Sequence, residues 1–130
     1  MKLFILSILL ILITLQIDSA IYAQEGVTEA SYYTIESCKR EGTSGIMANG
    51  RRLSDEDLTC ASWFYKFGTR LEIQEVGSGR KVICEVTDRG PAKRLVKKGR
   101  TIDLSLRAFK ELSFGRVDKG VLQVKIRRVK

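Results

Sequence analysis

The stretch Val86-Thr87-Asp88-Arg89-Gly90-Pro91 carries most of the structural information in this sequence, because it joins an apolar strand to a turn through a carboxylate. The preceding residues alternate so that Val82, Cys84 and Val86 share one apolar face, as in a half-buried strand. A side chain at the end of such a strand is held by the sheet and still faces solvent, which is a common place for functional groups. The sequence therefore indicates a functional carboxylate at Asp88; the structural alternative is that Asp88 only caps its own turn.

Short strands are expected on both sides of this stretch. Alternating or β-rich patterns predict them at 30–35, 70–76, 80–87, 101–104 and 121–129, with a glycine-rich hairpin loop at 77–79. Ser105 is expected to cap a helix that ends near Leu112, residues 36–54 to form a long loop, and residues 55–63 to form one or two helical turns. Five or six strands with one short helix predict a mainly β fold, a small closed barrel. Two sheets packed as a sandwich are the alternative.

The first 23 residues have the pattern of a secretory signal peptide, with Lys2 before an apolar run and small residues ending at Ala23. We expect cleavage after Ala23, which leaves one domain at 24–130. An uncleaved anchor is the alternative, although its apolar run is short for a bilayer, which needs about 20 residues. No cysteine lies near the boundary, so a lipoprotein signal is not expected. The pattern predicts a secreted, periplasmic or cell-envelope protein with no transmembrane span after cleavage.

The composition limits the possible chemistry. The 130 residues contain no histidine, which excludes a Ser-His-Asp triad, a Cys-His dyad and a histidine-ligated zinc site built from this chain alone. An acid–base catalyst must then be a carboxylate, a lysine, a tyrosine or a cysteine. The formal net charge is +8, and a leader with one lysine and one aspartate leaves that value unchanged for the remaining domain.

Positive charge is concentrated next to Asp88. Twelve residues contain six cations and no acid, at Arg89, Lys93, Arg94, Lys97, Lys98 and Arg100. In an exported domain such a segment favours an anionic wall polymer, such as glycan or teichoic acid, over nucleic acid. The alternative is that the charge only keeps a small exported protein soluble.

Three cysteines suggest one disulfide and one free thiol in an oxidising compartment. Cys84 lies on the apolar face of its strand, so we expect it to be a buried free thiol. Cys38 and Cys60 lie in loop-like surroundings and are the predicted disulfide. A catalytic thiol is the alternative, but the chain has no histidine to activate it.

Further polar and aromatic residues are candidates for a binding site. Asp103 alternates with apolar neighbours ahead of Ser105, where a structural turn and cap are the alternative to a functional carboxylate. Tyr32 and Tyr33 point to opposite faces of a strand, so one of them should be exposed and able to stack on a sugar ring. The aromatic cluster around Trp63 is equally consistent with a place in the core.

Seven short motifs follow one another in a specific order: Ala30-Ser31-Tyr32-Tyr33, Met47-Ala48-Asn49-Gly50, Leu58-Thr59-Cys60-Ala61, Phe67-Gly68-Thr69-Arg70-Leu71, Gly79-Arg80-Lys81-Val82, Val86-Thr87-Asp88-Arg89-Gly90-Pro91 and Ile102-Asp103-Leu104-Ser105-Leu106-Arg107-Ala108-Phe109. Each is weak alone, but together they make residues 30–129 similar to the rare lipoprotein A (RlpA-like) family of double-psi β-barrels. The segment 86–109 also resembles the expansins.

The resemblance implies a six-stranded double-psi barrel with an open groove for polysaccharide, and peptidoglycan glycan strands as the ligand. It implies lytic transglycosylation, a non-hydrolytic cleavage of strands lacking stem peptides that leaves a 1,6-anhydro end and needs no metal or cofactor. One carboxylic acid protonates the leaving oxygen and then accepts the proton of the attacking 6-hydroxyl. Asp88 matches the family's aspartate and is the predicted catalytic residue.

The predicted substrate-binding residues are Tyr32, Tyr33, Asn49, Thr69, Arg89 and Asp103. Two positions depart from the family pattern, which usually has a glutamate where this chain has Arg51 and a histidine where it has Ser62. An expansin-like module that binds and loosens wall glycan without cleaving it is therefore the alternative function. A third hypothesis is a domain that binds another anionic partner through the segment 89–100. We expect a monomer that does not bind nucleic acid.

Overall fold

Six β-strands and three short α-helices follow one another over residues 26–130, the part of the chain that the structure, a computed structural model, describes. The predicted signal peptide lies outside these residues. The strands are β1 (Val27–Tyr33), β2 (Thr59–Ala61), β3 (Arg70–Glu75), β4 (Lys81–Asp88), β5 (Arg100–Ser105) and β6 (Leu122–Arg128). The helices are α1 (Ile35–Arg40), α2 (Lys93–Val96) and α3 (Leu106–Ser113), and a 3-10 turn lies at Val117–Lys119.

The strands close into a barrel in the order β1-β5-β2-β4-β3-β6, with β6 returning to β1. The pairs β1–β5 and β2–β4 are parallel, and the other four pairs are antiparallel. Closure leaves no unpaired sheet edge, which removes the main route to edge-to-edge aggregation. The predicted small closed barrel is confirmed.

The barrel interior is filled by alternate side chains of the strands, as the sequence patterns predict. Leu71 and Ile73 of β3 and Val86 of β4 are fully buried. Helix α3 closes one end of the barrel with Phe109 and Leu112, which are also buried. Burying each of these side chains contributes roughly 1.5–3 kcal/mol, so this core fixes the barrel on which the polar groups are mounted.

The predicted helix after Ser105 is confirmed, since the Ser105 hydroxyl accepts a hydrogen bond from the Ala108 N–H. Helix α1 was not predicted, because its six residues lie in a segment that we expected to be a loop. A capping box between Thr34 and Ser37 starts it. The short helix α2 inside the basic segment was not predicted either. Helices α1 and α2 therefore add to the predicted short helix after Ser105.

The helical turns predicted at 55–63 are also wrong. Thr59, Cys60 and Ala61 form strand β2, which pairs with β4 on one side and β5 on the other. All three residues are buried, and Ser54 caps only a tight turn through its hydroxyl, which accepts from the Glu56 N–H. Pairing with two neighbours across the barrel outweighs the weak local preference for a helix.

The predicted disulfide between Cys38 and Cys60 is not present, and all three cysteines are free. Cys60 projects from β2 into the barrel interior, where its Sγ lies 2.9 Å from that of Cys84 on β4. Cys38 lies on α1 outside the barrel, so the wall of the barrel separates it from Cys60. The burial predicted for Cys84 is confirmed.

Candidate active-site groove

An open groove of about 740 Å³ lies at the end of β4, next to the last residues of β1, the first part of β5, and helices α1 and α2. We call it the carboxylate groove, because Asp88 and Asp103 both line it. Its other lining residues include Ser31, Tyr32, Tyr33, Cys38, Arg89, Gly90, Pro91, Arg94 and Arg100. Ala61 of β2 is the register partner of Asp88 on the parallel strand β4 and of Asp103 on the antiparallel strand β5, which is why residues distant in sequence meet here.

Asp88 is the last residue of β4, and three donors hold its carboxylate. Oδ1 accepts hydrogen bonds from the N–H groups of Ala48 and Arg89, each at 2.8 Å, and Oδ2 accepts one from the Tyr33 hydroxyl at 3.0 Å. The strand itself is fixed by β2, because Ala61 is the register partner of Asp88 and the Ser62 N–H donates to the Asp88 carbonyl. Asp88 is therefore rigidly placed while its side chain still lines the groove.

Asp103 lies on β5, opposite Ser31 of β1, and its carboxylate accepts a hydrogen bond from the Ser31 hydroxyl. Burial raises its pKa above the ordinary value, and the negative charge of Asp88 raises it further; the Ser31 hydrogen bond and the positive charge of Arg100 act in the opposite direction. A carboxyl group of this kind holds a proton at a higher pH than a solvated aspartate does. That property suits a general acid.

Gly90 forms the floor between the two carboxylates. A Cβ at this position would lie 3.3 Å from Asp103 Oδ2 and 3.3 Å from the Ala61 Cβ. Such contacts are tighter than ordinary van der Waals distance, so glycine is needed for the close approach of the turn to Asp103.

The two tyrosines face different surroundings, as the alternation predicts. Burial raises the pKa of Tyr33, and the charge of Asp88 and the hydrogen bond to it raise it further, so Tyr33 stays a protonated donor to Asp88. Tyr32 points toward the core, where its ring lies 4.6 Å from that of Phe109 between centroids. Both residues are half-buried and both line the groove, so the expectation that one of them is exposed is wrong.

Arg89 borders the groove, but its guanidinium group is used inside the protein. Its Nη1 donates to the carbonyls of Ser62 and Tyr65 at 2.7 and 2.8 Å, and the group stacks 3.9 Å from the centroid of the Phe67 ring. These contacts fasten the loop 62–67 to the end of β4. Arg89 therefore has a structural role, and its predicted contact with substrate stays a prediction.

Asn49 and Thr69 are not among the residues that line the carboxylate groove. The side-chain oxygen of Asn49 accepts from the Arg51 N–H, and the backbone N–H of Asn49 donates to the Thr87 carbonyl. Asn49 therefore fixes the loop that supplies the Ala48 donor. Thr69 lines a second groove on the barrel. Their roles as direct substrate ligands have no support in this geometry.

The two positions that depart from the family pattern also lie outside the groove lining. Arg51 forms an ion pair with Glu85 at 3.0 Å. Ser62 is buried, and its hydroxyl accepts from the Phe64 N–H at 3.1 Å. Neither side chain is available to take part in proton transfer in this arrangement.

Two contributions to the site were missed from the sequence. Ser31 lies two residues before Tyr33, so the alternation along β1 places both side chains on the same face and could have predicted Ser31 as a site residue. The Ala48 N–H is a backbone donor on a loop that returns to β4, and no side-chain pattern reveals it.

Trp63 is 43% exposed, which places it outside the core. Its Nε1 donates to the Pro91 carbonyl at 2.7 Å, and the Lys93 ammonium group lies over its ring.

A family model described as lytic transglycolase matches residues 24–126. The chain belongs to the lytic transglycolase family. This match confirms the resemblance drawn from the seven motifs and identifies the barrel as a double-psi β-barrel.

Curated relatives from the same family carry the name probable endolytic peptidoglycan transglycosylase RlpA. One from Aquifex aeolicus is 41% identical over 93 residues, which are 72% of this chain and 36% of the relative. One from Nostoc sp. is 39% identical over 79 residues, 61% of this chain and 20% of the relative. The chain thus spans only about a third and a fifth of the length of these two relatives.

Solved structures with low sequence identity share the fold. The Streptomyces papain inhibitor has a TM-score of 0.58 at 22% identity and covers 81% of this chain and 94% of its own. An expansin from Clavibacter michiganensis has a TM-score of 0.53 at 21% identity, covering 81% of this chain and 51% of its own. A mutant of that expansin in complex with cellohexaose has a TM-score of 0.52 at 20% identity, with the same coverage. At these identities the likeness concerns the fold alone.

Proposed function

We propose that this domain is an endolytic transglycosylase that cleaves peptidoglycan glycan strands lacking stem peptides. The observation that supports this most strongly is the pair of carboxylates in one open groove, one buried with a raised pKa and the other held by three donors. The names of the family relatives point to the same reaction. No step of this mechanism uses a metal or a cofactor.

In the proposed reaction, protonated Asp103 gives its proton to the glycosidic oxygen as the bond between that oxygen and the anomeric carbon breaks. Positive charge develops on the anomeric carbon, and the carboxylate of Asp88 stabilises it. Asp103, now ionised, accepts the proton of the 6-hydroxyl while the oxygen of that hydroxyl bonds to the anomeric carbon. The products are a 1,6-anhydro sugar end and a free hydroxyl on the leaving sugar, and Asp103 ends protonated as it began.

In this scheme Asp103 is the residue that transfers the proton, whereas the sequence analysis predicted Asp88 for that role. Asp88 accepts hydrogen bonds from two backbone N–H groups and from Tyr33, so its two oxygens are held in place by donors within the protein. Asp103 has a single side-chain donor, Ser31, and burial that favours its neutral form. Asp103 therefore fits the role of the acid, and Asp88 fits the role of the group that stabilises the developing charge.

The place of action that we propose is the bacterial cell envelope, reached through the predicted leader at 1–23, with the domain acting as a monomer. No helix within residues 26–130 has the length and apolarity needed to cross a bilayer. The ligand that we propose is glycan, and nucleic acid is not expected to bind in a groove whose functional groups are two carboxylates.

The test is product analysis. Residues 24–130 are incubated with glycan strands stripped of stem peptides, and the fragments are examined by mass spectrometry for 1,6-anhydro ends. We expect such ends with the wild type, none with Asp103→Asn, and an unchanged yield with Asp118→Asn, a control for loss of a carboxylate at an exposed site. Fragments with reducing ends in place of anhydro ends would show hydrolysis and contradict the proposal.

A second candidate function is glycan binding without cleavage. It is favoured by the presence of Arg51 and Ser62 where the family usually has glutamate and histidine, and by a fold shared with an expansin that has been solved with cellohexaose. Co-sedimentation of the wild type with glycan strands in the absence of any cleavage would support this second function over the first.

A further inference from the structure

A second groove of about 560 Å³ lies on another part of the barrel, where the loop before β3, the start of β3 and the end of β6 converge. We call it the cationic groove. Its lining contains no acidic residue and consists of Phe64, Lys66, Gly68, Thr69, Arg70, Arg128, Val129 and Lys130. The cations come from two separate segments of the chain, 66–70 and 128–130, so the fold assembles a charge cluster that no single stretch of sequence shows.

The cations of this groove are available to a ligand. Among residues 26–130, no ion pair involves Lys66, Arg70 or Arg128, and all three are exposed. Arg128 lies 5.6 Å above the centroid of the Tyr65 ring, which orients it without neutralising it. The register partner of Arg70 is Glu85, which is paired with Arg51. Glu72, two residues after Arg70 on β3, is paired with Lys81 and Arg127.

In the basic segment 89–100, by contrast, two of the six cations make contacts within the protein. Arg89 donates to two carbonyls and stacks on Phe67, and Arg100 pairs with Glu29 at 2.6 Å. The other four cations of that segment, Lys93, Arg94, Lys97 and Lys98, are exposed and also lack ion pairs among the described residues, but only Arg94 lines either groove. The cationic groove differs because its unpaired cations surround one cavity.

We propose that the cationic groove binds acidic sugars of the wall glycan, outside the groove that cleaves it. Phe64 is 60% exposed and offers a ring face on which a sugar can stack. Arg70 and Arg128 present planar guanidinium groups that fit a carboxylate through two parallel hydrogen bonds. A stacking ring beside such groups matches a polymer that carries a carboxylate on its sugars, as peptidoglycan strands do on the lactyl group of every second sugar. This inference rests on the proposed function for its choice of ligand.

The test compares two charge reversals of equal size. Arg70→Glu/Arg128→Glu alters the cationic groove, and Lys97→Glu/Lys98→Glu alters two exposed lysines that line neither groove. Each pair is placed in an Asp103→Asn background so that no cleavage occurs. The probes are peptide-free glycan strands, neutral chitin oligosaccharides and single-stranded DNA, measured by calorimetry at low and high salt. Melting temperatures confirm folding, and Arg70→Gln/Arg128→Gln replaces the first pair if it fails to fold.

We expect the cationic-groove variant to bind glycan strands at least about tenfold more weakly, and the control pair to change the affinity less than about twofold. High salt should remove most of the difference, and chitin oligosaccharides should bind both variants equally. An equal loss in both pairs would show that only net charge matters and would overturn the proposal. Tighter binding of DNA than of glycan, lost in the same variant, would assign the surface to nucleic acid and overturn it too. These are binding results, so they stand apart from whether anhydro products form.

A separate observation concerns the two buried thiols. Cys60 and Cys84 lie on the neighbouring parallel strands β2 and β4, and their Sγ atoms are 2.9 Å apart, closer than the van der Waals contact of two sulfur atoms. Both side chains are buried, so a small-molecule thiol reagent cannot reach either in the closed barrel. Directly after Cys60 come Ala61 and Ser62, which pair with Asp88.

We also infer that Cys60 and Cys84 form a disulfide in an oxidising compartment. The two thiols lose two protons and two electrons to a disulfide-bearing oxidant, which is reduced to two thiols through a mixed-disulfide intermediate. The new bond would link β2 to β4 immediately before the residues that hold Asp88. The hydrogen bond with Cys84, followed by burial, raises the pKa of Cys60 in the folded barrel. Because the thiolate is the attacking form, we expect oxidation to occur before the barrel closes.

The test is refolding of residues 24–130 with oxidised and reduced glutathione, then alkylation under denaturing conditions and peptide mass spectrometry. We expect a linked Cys60–Cys84 peptide, alkylation at Cys38 only, and a melting temperature roughly 10 °C above that of the reduced protein. Cys38→Ala should keep this shift, and Cys60→Ala/Cys84→Ala should lose it. Three alkylated cysteines after refolding, or a linked peptide that contains Cys38, would overturn the inference.

Discussion

The carboxylate groove and the cationic groove are built on the same barrel by opposite means. In the first, each charged group is held: Asp88 by three donors, and Asp103 by Ser31 and by burial. In the second, Arg70 and Arg128 are exposed and have no ion-pair partner among the described residues. Chemistry at a bond needs fixed groups in a partly dry site, whereas attraction of a long anionic polymer needs only unpaired charge. Substitutions in the two grooves should therefore differ in kind, activity being lost in one and salt-dependent affinity in the other.

The largest effect is expected for Asp103→Asn. Loss of the proton donor should lower the cleavage rate by about 10²–10⁴-fold. The folded-state pKa of Asp103 is raised, so its contribution to stability is fully present below the unfolded-state pKa and lost as the pH rises through the folded-state pKa. Asp103→Asn should therefore melt at an equal or higher temperature than the wild type at pH 7, and this advantage should vanish near pH 3. Thermal melts across this range, with an activity assay, check both parts. A variant that is inactive because it is unfolded at pH 7 would contradict them.

Asp88→Asn should have the next largest effect. The amide removes the negative charge that we expect to stabilise the anomeric carbon and places an NH₂ group against donors, so the rate should fall by about 10²-fold. Binding of glycan strands should change much less than the rate. Steady-state kinetics together with co-sedimentation separate the two quantities. A rate equal to that of the wild type would remove Asp88 from the mechanism.

Tyr33→Phe tests the positioning of Asp88. The hydroxyl that is removed lies 3.0 Å from Asp88 Oδ2 and leaves the carboxylate with its two backbone donors. We expect a loss of about tenfold in kcat, little change in KM, and a loss of stability of about 1 kcal/mol. Denaturant unfolding gives the stability, and a change confined to KM would instead make Tyr33 a substrate ligand.

Gly90→Ala tests the close approach at the floor of the carboxylate groove. The new Cβ would lie 3.3 Å from Asp103 Oδ2 and from the Ala61 Cβ, and the neighbours are fixed strands, so we expect a destabilisation of about 1 kcal/mol and lower activity. Gly77→Ala is a matched control, because its new Cβ would meet only the flexible end of the Glu75 side chain. Equal unfolding free energies for the two variants would show that the floor can relax.

The smallest effect on the protein itself is expected for Arg70→Gln/Arg128→Gln. Both side chains are exposed and lack ion pairs among residues 26–130, so stability should change by no more than about 0.5 kcal/mol. Cleavage of short oligosaccharides that cannot reach the cationic groove should also be unchanged. A large loss of stability would mean that the groove is a structural feature of the barrel end.

Particular residues show how far sequence reasoning reaches. The alternation of Val82, Cys84 and Val86, and the cap at Ser105, predicted the barrel strands and helix α3, because local periodicity and capping determine those elements. Strand β2 was missed, because its three residues carry too little local pattern and are fixed by β4 and β5. Helix α1 was missed, because glycines further along the segment obscured its capping box.

The candidate site was predicted in part for the same reason. Asp88 was singled out at a strand end, Asp103 by its alternation with apolar neighbours and Tyr33 as an aromatic ring, and the structure brings them together in one groove. Arg89 was expected to contact substrate, but its guanidinium group finds carbonyls on the loop 62–67 that no linear pattern reveals. The cationic groove and the facing thiols of Cys60 and Cys84 depend on contacts between distant segments, which only the folded chain defines.

The central claim is that Asp103 transfers the proton in a non-hydrolytic cleavage. The most direct measurement is mass spectrometry of peptide-free glycan strands after incubation with the wild type in water enriched in oxygen-18. We expect fragments that end in 1,6-anhydro sugars and carry no heavy oxygen, and no fragments with Asp103→Asn. Reducing ends that carry oxygen-18, or anhydro products from Asp103→Asn at the wild-type rate, would contradict it.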